Sequence, residues 1–572
     1  MTRTKHNTRF ACFTLITFCV LICSGCEPRA IGEANHSENE LPESNSENMA
    51  SAELGAEPVK TNDPVGTNDP GEADEPVKTN EPVGKNELSE ANDPGEANEP
   101  GVIKGELNSV DWESMVGQEV TVKGELVIID TYDLARRGQV KVARNRLYVP
   151  TSQFDPNDKD PAGVSFEGGN NVAEVVKAQK FNDSATIILD DGSAAQNIFP
   201  PTLFPNLGTT LPTVRIGSVI NGVSGKLVKA GNAILLVPND PLEWTPAERP
   251  GRPDLGDAKV TVASFNVLNY FTTIDNGNNN ARGADSESEL QRQEGKLLAA
   301  IVELEADVIG LMEMENSLEA EQRLVKALNK KVGKDVYAGC GLPDGFASSP
   351  GGYDAIRVGI IYRSDRVEPV GGVAMIEDQA FGKARTPVVQ SFKSTAVEDP
   401  FTVIVNHFKS KGGADRADAA NKNKGDGQAA YNAVRRSQAL AICDYIAELE
   451  QDEKNQRILV IGDLNAYRQE DPIDAMRARG LIDLKEQFGK RDAAGNDAGY
   501  YSYIYFGQCG SLDHAMATES MSTDITGVAT WHINADEPRF LDYNEEYNPR
   551  QLFKVDPFRS SDHDPVLIGI GN

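Results

Sequence analysis

Cysteine is scarce in this sequence, and most of it lies at one end of the chain. Four of the seven cysteines fall within the first 26 of 572 residues, which leaves Cys340, Cys443 and Cys509. No cysteine–histidine spacing fits a zinc site, and three thiols permit at most one disulfide. Cys443 lies on the apolar face of a predicted helix and is expected in the core. Cys340 and Cys509 lie in glycine-rich segments, so we predict a disulfide between them, with three free thiols as the alternative.

Long hydrophobic runs are also missing. The apolar stretch at residues 11–22 follows Arg3, Lys5 and Arg9 and is about half as long as the ~20 residues of a membrane span. This pattern predicts an export signal. Small residues precede Cys26 and polar sequence follows it, which resembles a bacterial lipoprotein cleavage site. We therefore predict a protein exported from a bacterial cell, either tethered through a lipid on Cys26 or secreted, with no obligate protein partner.

Positive charge is in deficit, since the net charge is −31. About half of this charge comes from residues 27–101, which hold 19 acidic and 4 basic side chains and repeat Glu-Pro-Val-Lys-Thr-Asn from residues 57 and 75. Such sequence cannot bury enough apolar surface to offset chain entropy, so we predict a disordered acidic linker. The remainder is still acidic, and a polyanionic substrate would need local basic groups or bridging divalent cations.

Short alternating apolar segments fill the next part of the chain. They are separated by Gly, Pro and Asn and occur at residues 119–129, 185–190, 219–223 and 233–237. This pattern predicts a small all-β module, with a barrel of the oligonucleotide-binding (OB) type as the expected form. A surface for single-stranded nucleic acid is a further prediction, and its candidate residues are Lys141, Arg144, Arg146 and Tyr148.

Beyond a Pro- and Gly-rich hinge at 246–256, strand patterns alternate with helix patterns. The strands are expected at 259–269, 307–314, 358–362, Phe401–His407, 457–463 and Val566–Ile570, and the helices at 290–305, 318–331, 428–450 and after Pro472. This order predicts an α/β (α+β) four-layer sandwich, with two stacked β-sheets flanked by helices. The predicted organisation is an export signal at 1–26, a disordered linker at 27–101, an OB-like nucleic-acid-binding module at 102–245 and a catalytic domain at 258–572.

Polar side chains stand at the carboxyl ends of three predicted strands and just ahead of a fourth. They are Glu313, His407, Asp463 and His563. Folds with α/β architecture gather their chemistry at strand ends. Carboxylate, amide and imidazole groups without thiolates suit a hard divalent cation, with Mg²⁺ as first choice and Mn²⁺ or Ca²⁺ as alternatives. Hydrolysis of a phosphate ester needs such charge neutralisation, an activated water and help for the leaving oxygen.

Six segments, in chain order, resemble the deoxyribonuclease-I-like endonuclease/exonuclease/phosphatase superfamily. They are Ser264-Phe265-Asn266-Val267-Leu268-Asn269, Leu311-Met312-Glu313, Asn406-His407, Gly462-Asp463-Leu464-Asn465, Ser511-Leu512-Asp513-His514 and Ser561-Asp562-His563-Asp564-Pro565-Val566. Residues 262–271, 282–285 and 310–316, with the β module in front, are similar to the bacterial extracellular nucleases of this superfamily. The resemblance covers residue 258 to the C-terminus and implies the fold and its phosphodiesterase chemistry.

The resemblance also implies a metal site. Glu313 is the expected principal ligand, with Asn266 near the metal or the phosphate, and Asp562 completes the site. Glu315 points to the same face of the strand if the strand continues, so it competes with Glu313 for the ligand role.

Catalytic roles follow from the same resemblance. Asp463 is expected to orient or deprotonate the attacking water, and Asn465 to hold a phosphate oxygen. His563 and Asp513 form an expected acid/base dyad, while His407 donates to a phosphoryl oxygen.

A substrate-binding set is expected beside these residues. Asp354 is predicted to orient His407, Arg363 to reach the substrate backbone, and Arg357 to follow its phosphates.

The sequence thus favours an extracellular, metal-dependent nuclease that hydrolyses phosphodiester bonds of DNA, with RNA as a second candidate substrate. Endonucleolytic and exonucleolytic action both remain open. One alternative is a phosphodiesterase or phosphatase of the same fold that acts on a phospholipid or a small phosphate ester. Another is a nucleic-acid-binding surface protein without enzymatic activity.

Overall fold

The computed structural model describes residues 101–159, 169–208, 213–451, 456–489 and 499–571. The predicted export signal and all but the last residue of the predicted acidic linker lie outside these residues. Within the described ranges, none of the helices combines the length and the apolar character that a bilayer span requires.

In the described part of residues 101–245 there are eight strands and two helices. The strands are β1 (Val102–Ile103), β2 (Glu119–Asp130), β3 (Gln139–Ala143), β4 (Leu147–Tyr148), β5 (Ile187–Asp190), β6 (Val219–Ala230), β7 (Ala233–Pro238) and β8 (Trp244–Thr245), and the helices are α1 (Leu134–Arg137) and α2 (Val172–Ser184).

Strand β2 is the central element of this module. Its buried residues alternate with exposed ones, as at Val120 and Val122, and its register shifts near Gly124, where φ is +84°. Because β2 pairs with β3 on one side and with β6 on the other, the strands β2, β3, β5, β7 and β6 close into a ring. The alternating strands lie where the sequence predicts them, and the oligonucleotide-binding assignment stays a prediction.

The rest of the chain forms fourteen further strands and six further helices among the described residues. The strands are β9 (Val260–Tyr270), β10 (Val308–Glu315), β11 (Tyr337–Gly339), β12 (Ile356–Arg363), β13 (Glu368–Met375), β14 (Val388–Lys393), β15 (Phe401–His407), β16 (Ile458–Asp463), β17 (Ile482–Asp483), β18 (Tyr503–Tyr505), β19 (Gln508–Gly510), β20 (Asp513–Ala517), β21 (Ile525–Thr530) and β22 (Val566–Ile570). The helices are α3 (Glu287–Leu304), α4 (Leu318–Val332), α5 (Asn432–Leu449), α6 (Asp471–Ala478), α7 (Leu484–Phe488) and α8 (Glu519–Ser522).

Two six-stranded sheets pack face to face, in the orders β11-β12-β10-β9-β22-β21 and β13-β14-β15-β16-β20-β17. Val262 of the first sheet and Val405 and Ile461 of the second are buried in the core between them. Leu297 of α3 belongs to a second core on the first sheet, and Ile442 of α5 to a third core on the second sheet. This order of helix, sheet, sheet and helix confirms the predicted four-layer fold class.

The strand directions decide where polar residues gather. Strands β9 and β10 are parallel neighbours, and so are β15 and β16. Parallel neighbours end at the same edge of a sheet, and β9 and β10 lie against β15 and β16 across the core. The carboxyl ends of all four strands therefore meet at one edge of the sandwich.

A small third sheet joins the N-terminal module to the rest of the chain. In it β4 lies beside β19, which pairs with β18. Nearby, the buried Arg215 binds Asp536 and Glu537 at 3.0 Å each, and Arg146 binds Asp536 at 2.9 Å. Buried charges are tolerated when they are paired, so these contacts hold the module against the C-terminal part.

Two predictions need correction. The disulfide is wrong, because Cys340 and Cys509 are both free thiols in different places: Cys340 packs near the core between the large sheets, and Cys509 lies on β19. The long helix begins at Asn432 and not at residue 428, since Tyr431 adopts a left-handed conformation with φ +61°. Cys443 is buried, as predicted.

Candidate active site

Glu313 lies at a distortion of strand β10. Its φ is +63°, and the register of β10 shifts here against both neighbouring strands. A non-glycine residue in this conformation costs of order 1 to 3 kcal/mol and persists only where its surroundings enforce it. Such bulges redirect side chains next to active sites. Here the Glu313 carboxylate accepts hydrogen bonds from the Asn266 side chain and the Asn269 backbone N–H, both at 3.1 Å.

Four polar side chains converge at this edge. The Nδ2 atom of Asn266 lies 3.1 Å from Oε1 of Glu313 and 3.4 Å from Oδ2 of Asp463. The Nε2 atom of His407 lies 3.3 Å from the same Asp463 oxygen and 4.0 Å from Glu313. One donor atom each from Glu313, His407 and Asp463 lie within 4.8 Å of one another. The structure thus brings together residues that are up to 197 positions apart.

The charges of Asp463 and His407 follow from their surroundings. Burial raises the pKa of Asp463, but the hydrogen bond from His407, the charge of His563 and the Asn465 N–H together lower it well below its ordinary value. Burial and the nearby Arg385 lower the pKa of His407. Asp463 is therefore a carboxylate and His407 a neutral imidazole at neutral pH.

Asn465 lies two residues beyond Asp463, as predicted. Its backbone N–H donates to Oδ1 of Asp463 at 2.9 Å, and its side-chain Nδ2 donates to the Phe408 carbonyl at 3.3 Å. With φ at +47°, Asn465 is held in a left-handed turn directly after β16. Its amide is therefore fixed beside the carboxylate.

The predicted dyad is present. Nδ1 of His563 lies 2.8 Å from Oδ2 of Asp513, which also accepts a hydrogen bond from the Ser502 hydroxyl at 2.6 Å. Burial lowers the pKa of His563, but the carboxylates of Asp513, Asp463 and Asp562 raise it well above its ordinary value. His563 is therefore protonated at neutral pH. Because Nδ1 is engaged by Asp513, Nε2 is the nitrogen that can give up a proton.

The dyad and the carboxylate cluster belong to one site. Asp513 on β20 is paired directly with Asp463 on β16. The ring of Tyr503 lies against that of His563, with 4.7 Å between the ring centres. Asp562, the residue before His563, is half-buried and does not belong to the converging set of Glu313, His407 and Asp463. Its role as a ligand stays a prediction.

Glu315, the competitor of Glu313, has a different role. Its carboxylate accepts hydrogen bonds from the backbone N–H and the hydroxyl of both Thr272 and Thr273. Burial raises its pKa, but these bonds lower it below the ordinary value. Glu315 therefore holds the loop after β9, and Glu313 faces the cluster.

The three predicted substrate-binding residues lie elsewhere or bind other partners. Arg363 lies beside Asp365 at the opposite end of the sheet, because β12 runs antiparallel to β10. Arg357 is buried and binds Glu321 at 3.1 Å. Neither is placed to follow a substrate.

Asp354 does not orient His407, whose Nδ1 has no hydrogen-bond partner among the described residues. The Asp354 carboxylate pairs with Arg282 at 3.3 Å and with Arg385 at 3.8 Å. Arg385, which the sequence reasoning missed, is buried next to Glu313 and Asp463, and its Nε has no partner in the described part of the chain. Burial lowers the pKa of Arg385. No strand-end pattern marks it, since it precedes β14.

The predicted single-strand surface of the module is also mostly absent. Arg146 is bound to Asp536, Arg144 donates to the carbonyls of Gly105 and Glu125, and Tyr148 is buried. Lys141 alone faces an exposed ring, with its Nζ 5.1 Å from the ring centre of Phe506.

The residues present fit a divalent cation. Two carboxylates and an imidazole converge, and the neutral Asn266 amide nitrogen lies between the carboxylates of Glu313 and Asp463 as a hydrogen-bond donor. Oxygen donors of this kind suit hard cations such as Mg²⁺. Glu313 and Asp463 are the residues that would hold it, with His407 beside them.

Comparison with known proteins gives one family match and several similar solved structures. The sequence model of the Endonuclease/Exonuclease/phosphatase family matches residues 263–563. Similar solved structures include a mannosyl-6-phosphatase of Bacteroides thetaiotaomicron (16% identity, 54% of this chain and 99% of that chain, TM-score 0.35). They also include the catalytic domain of human Nocturnin (15% identity, 55% of this chain and 95% of that chain, TM-score 0.35). A third is D. rerio TDP2 complexed with a single-strand DNA product (16% identity, 54% of this chain and 97% of that chain, TM-score 0.33). A comparison with curated proteins gave no match.

Proposed function

The chain belongs to the endonuclease/exonuclease/phosphatase family of phosphoesterases, and we propose that it is an exported, metal-dependent nuclease that hydrolyses phosphodiester bonds of DNA, with RNA as a second candidate. One observation carries the proposal: the ionised Asp463 lies beside Glu313 on one side and opposite the Asp513–His563 pair on the other. A group that orients water and a group that donates a proton thereby flank a single reaction centre.

The residues divide the work as follows. Asp463 orients the attacking water; its lowered pKa makes it a weak base, so it acts mainly through its charge and position. His563 holds a proton on Nε2 and donates it to the leaving oxygen, while Asp513 keeps the imidazole in place. Mg²⁺, the ion we favour over Mn²⁺ and Ca²⁺, would neutralise charge on the phosphoryl oxygens from its place at Glu313.

Three further side chains bind the phosphate. The Nε2–H of His407 lies beside Asp463, and the Asn465 side-chain amide, which donates one N–H to the Phe408 carbonyl, has a second N–H to donate. Arg385 adds a buried positive charge near the same carboxylate. Preorganised donors of this kind stabilise the charge that develops in the transition state.

The test is digestion of circular and linear DNA by the purified chain, with Mg²⁺, Mn²⁺ or Ca²⁺ and analysis of the product ends. Activity that a chelator abolishes is expected. Asp463→Asn and His563→Ala should be nearly inert while keeping the circular dichroism spectrum and melting temperature of the wild type. Arg363→Gln is the matched control and should retain full activity. Full activity of either site variant, or of the wild type in chelator, overturns the proposal.

Export rests on the sequence of residues 1–26. We propose that the chain leaves the cell through this signal and that a lipid on Cys26 tethers it. Cell fractionation of the wild type and of Cys26→Ala tests this, since the variant should move from the membrane fraction to the soluble fraction. A wild-type chain found in the soluble fraction would leave a secreted protein, without the lipid anchor.

A further inference from the structure

A β-hairpin connects the candidate active site to the N-terminal module. Strands β18 and β19 form this hairpin, called here the 503–510 hairpin, and its turn is Phe506-Gly507, with φ of +50° and +83°. Positive φ at both turn residues is typical of the tight turns that suit twisted hairpins. A Cβ atom on Gly507 would lie 3.2 Å from Ile129 and 3.4 Å from Asp130, so the turn packs closely on β2 of the module.

The base of this hairpin touches the catalytic groups. Ser502 donates to Asp513, and the Tyr503 ring lies on the His563 ring. Side chains two residues apart on a strand point to the same face, roughly 6 to 7 Å apart. Tyr505 therefore follows Tyr503 along the face that meets His563.

The tip of the hairpin exposes two large rings. Tyr505 is 50% exposed and Phe506 is 56% exposed. The two rings meet edge to face, with 4.5 Å between their centres, and the Lys141 ammonium lies over the Phe506 ring. A cluster of exposed aromatic side chains often marks a binding site. Here the cluster is connected to His563 through Tyr503, whose ring contacts the imidazole.

We propose that Tyr505 and Phe506 form a stacking platform for unpaired bases of the nucleic-acid strand whose phosphate reaches His563. The inference rests on the proposed nuclease function and names the form of its substrate. Base faces are planar and apolar, and every base can stack on an aromatic ring without regard to sequence. The Lys141 ammonium lies over the Phe506 ring and is paired with the Asp130 carboxylate at 2.8 Å, so it fixes the position of the ring.

The platform distinguishes single strands from duplexes. In a closed duplex the base faces are covered by neighbouring base pairs, whereas in single strands and frayed ends they are free to stack on a protein ring. The selected substrate is therefore single-stranded DNA or RNA, or a duplex with unpaired ends.

Binding measurements in an inactive background test the platform without turnover. The full chain with Asp463→Asn is compared with the same chain carrying Tyr505→Ala and Phe506→Ala, using fluorescence anisotropy of a short labelled single-stranded DNA. Loss of stacking should weaken binding by about 5- to 150-fold for each stacked base. The variant Tyr505→Phe with Phe506→Tyr keeps both rings and should bind like its parent. A covalently closed circular duplex without unpaired bases, tested as an unlabelled competitor, should lose little affinity.

Two controls separate the platform from the proposed function. With Asp463 intact, hydrolysis of an abasic oligonucleotide of tetrahydrofuran phosphodiesters, which carries no bases and no aromatic rings, should be unaffected by Tyr505→Ala and Phe506→Ala. A wild-type chain that hydrolyses neither this oligonucleotide nor DNA contradicts the proposed function. Equal binding of single strands with and without the rings, or an equal loss for the closed duplex, overturns the platform alone. The platform is also overturned if removal of the rings weakens binding to phosphatidylglycerol-containing vesicles and leaves DNA binding unchanged. That result would assign the rings to a membrane surface.

Discussion

Replacing Asp536 with asparagine measures how firmly the N-terminal module is joined to the C-terminal part. The Asp536 carboxylate accepts hydrogen bonds from Arg146, Arg215 and Tyr501 at 2.9 to 3.0 Å, and the Arg215 side chain is only 2% exposed. Asparagine keeps the shape and removes the charge, so two guanidinium groups lose their shared counterion. Removing one member of a buried ion pair destabilises a protein by about 3 to 5 kcal/mol, and we expect a loss of this size.

Urea denaturation of the full chain at neutral pH is the assay. Trp112 and Trp244 report on the module and Trp531 on the C-terminal part, while circular dichroism follows the whole. Lys229→Ala is the matched control, because its ion pair with Glu113 is exposed (47% and 61%) and such pairs contribute about 0 to 1 kcal/mol. An Asp536→Asn chain that is no less stable than the control would refute the reasoning.

The same carboxylate predicts a dependence of stability on pH. Burial raises the pKa of Asp536, but Arg146 and Arg215 lower it well below its ordinary value. An unfolded Asp titrates near about 3.9. A lowered pKa in the folded state gives a stabilising contribution that is complete above the unfolded pKa and is lost as the pH falls through the folded one. The stability gap between wild type and Asp536→Asn should therefore narrow below about pH 4; a gap that stays constant contradicts this assignment.

Three further predictions concern the site. Asp513→Asn removes the carboxylate that raises the pKa of His563. The alkaline limb of the pH–rate profile should therefore move to lower pH, and kcat should fall by about 10²- to 10⁴-fold. An alkaline limb that does not move would show that Asp513 does not control the protonation of His563. Glu313→Gln should weaken Mg²⁺ binding, measured by calorimetry. The loss should exceed the roughly 10- to 100-fold that is typical when a residue that only hydrogen-bonds to a metal ligand is replaced. Glu315→Gln should leave Mg²⁺ affinity unchanged but lower the free energy of unfolding by about 1.5 to 3 kcal/mol, because it weakens the bonds to Thr272 and Thr273.

The sequence predicted the central site residues because local pattern marks them. Glu313, His407 and Asp463 each stand at or near the end of an apolar run, and parallel strands bring such ends to a common edge. Asn266 came from the family resemblance. The partnership of Asp513 with His563 came from the family resemblance, and the structure places these residues at 2.8 Å.

The errors have a different origin, which is the direction and pairing of elements. Arg363 ends a strand like the others, but β12 is antiparallel to β10, so this end lies at the far edge of the sheet. Arg357 lies near the correct edge, but Glu321 on α4 pairs with it inside the fold. The 503–510 hairpin depends on β4, a strand more than 350 residues earlier, and no local pattern reveals such a pairing.

The acidity of the chain and a polyanionic substrate are reconciled at the site itself. Among the described residues, the carboxylates of Glu313, Asp463, Asp513 and Asp562 outnumber the buried positive groups near them, Arg385 and His563. A phosphate 4 Å from one uncompensated carboxylate is repelled by about 4 kcal/mol at an effective dielectric constant of about 20. The same excess of negative charge attracts a divalent cation. The positive charge of the bound cation would turn repulsion of the phosphate into attraction. The proposed dependence on a divalent cation is therefore expected from the charge balance of this site as well as from the proposed phosphodiester chemistry.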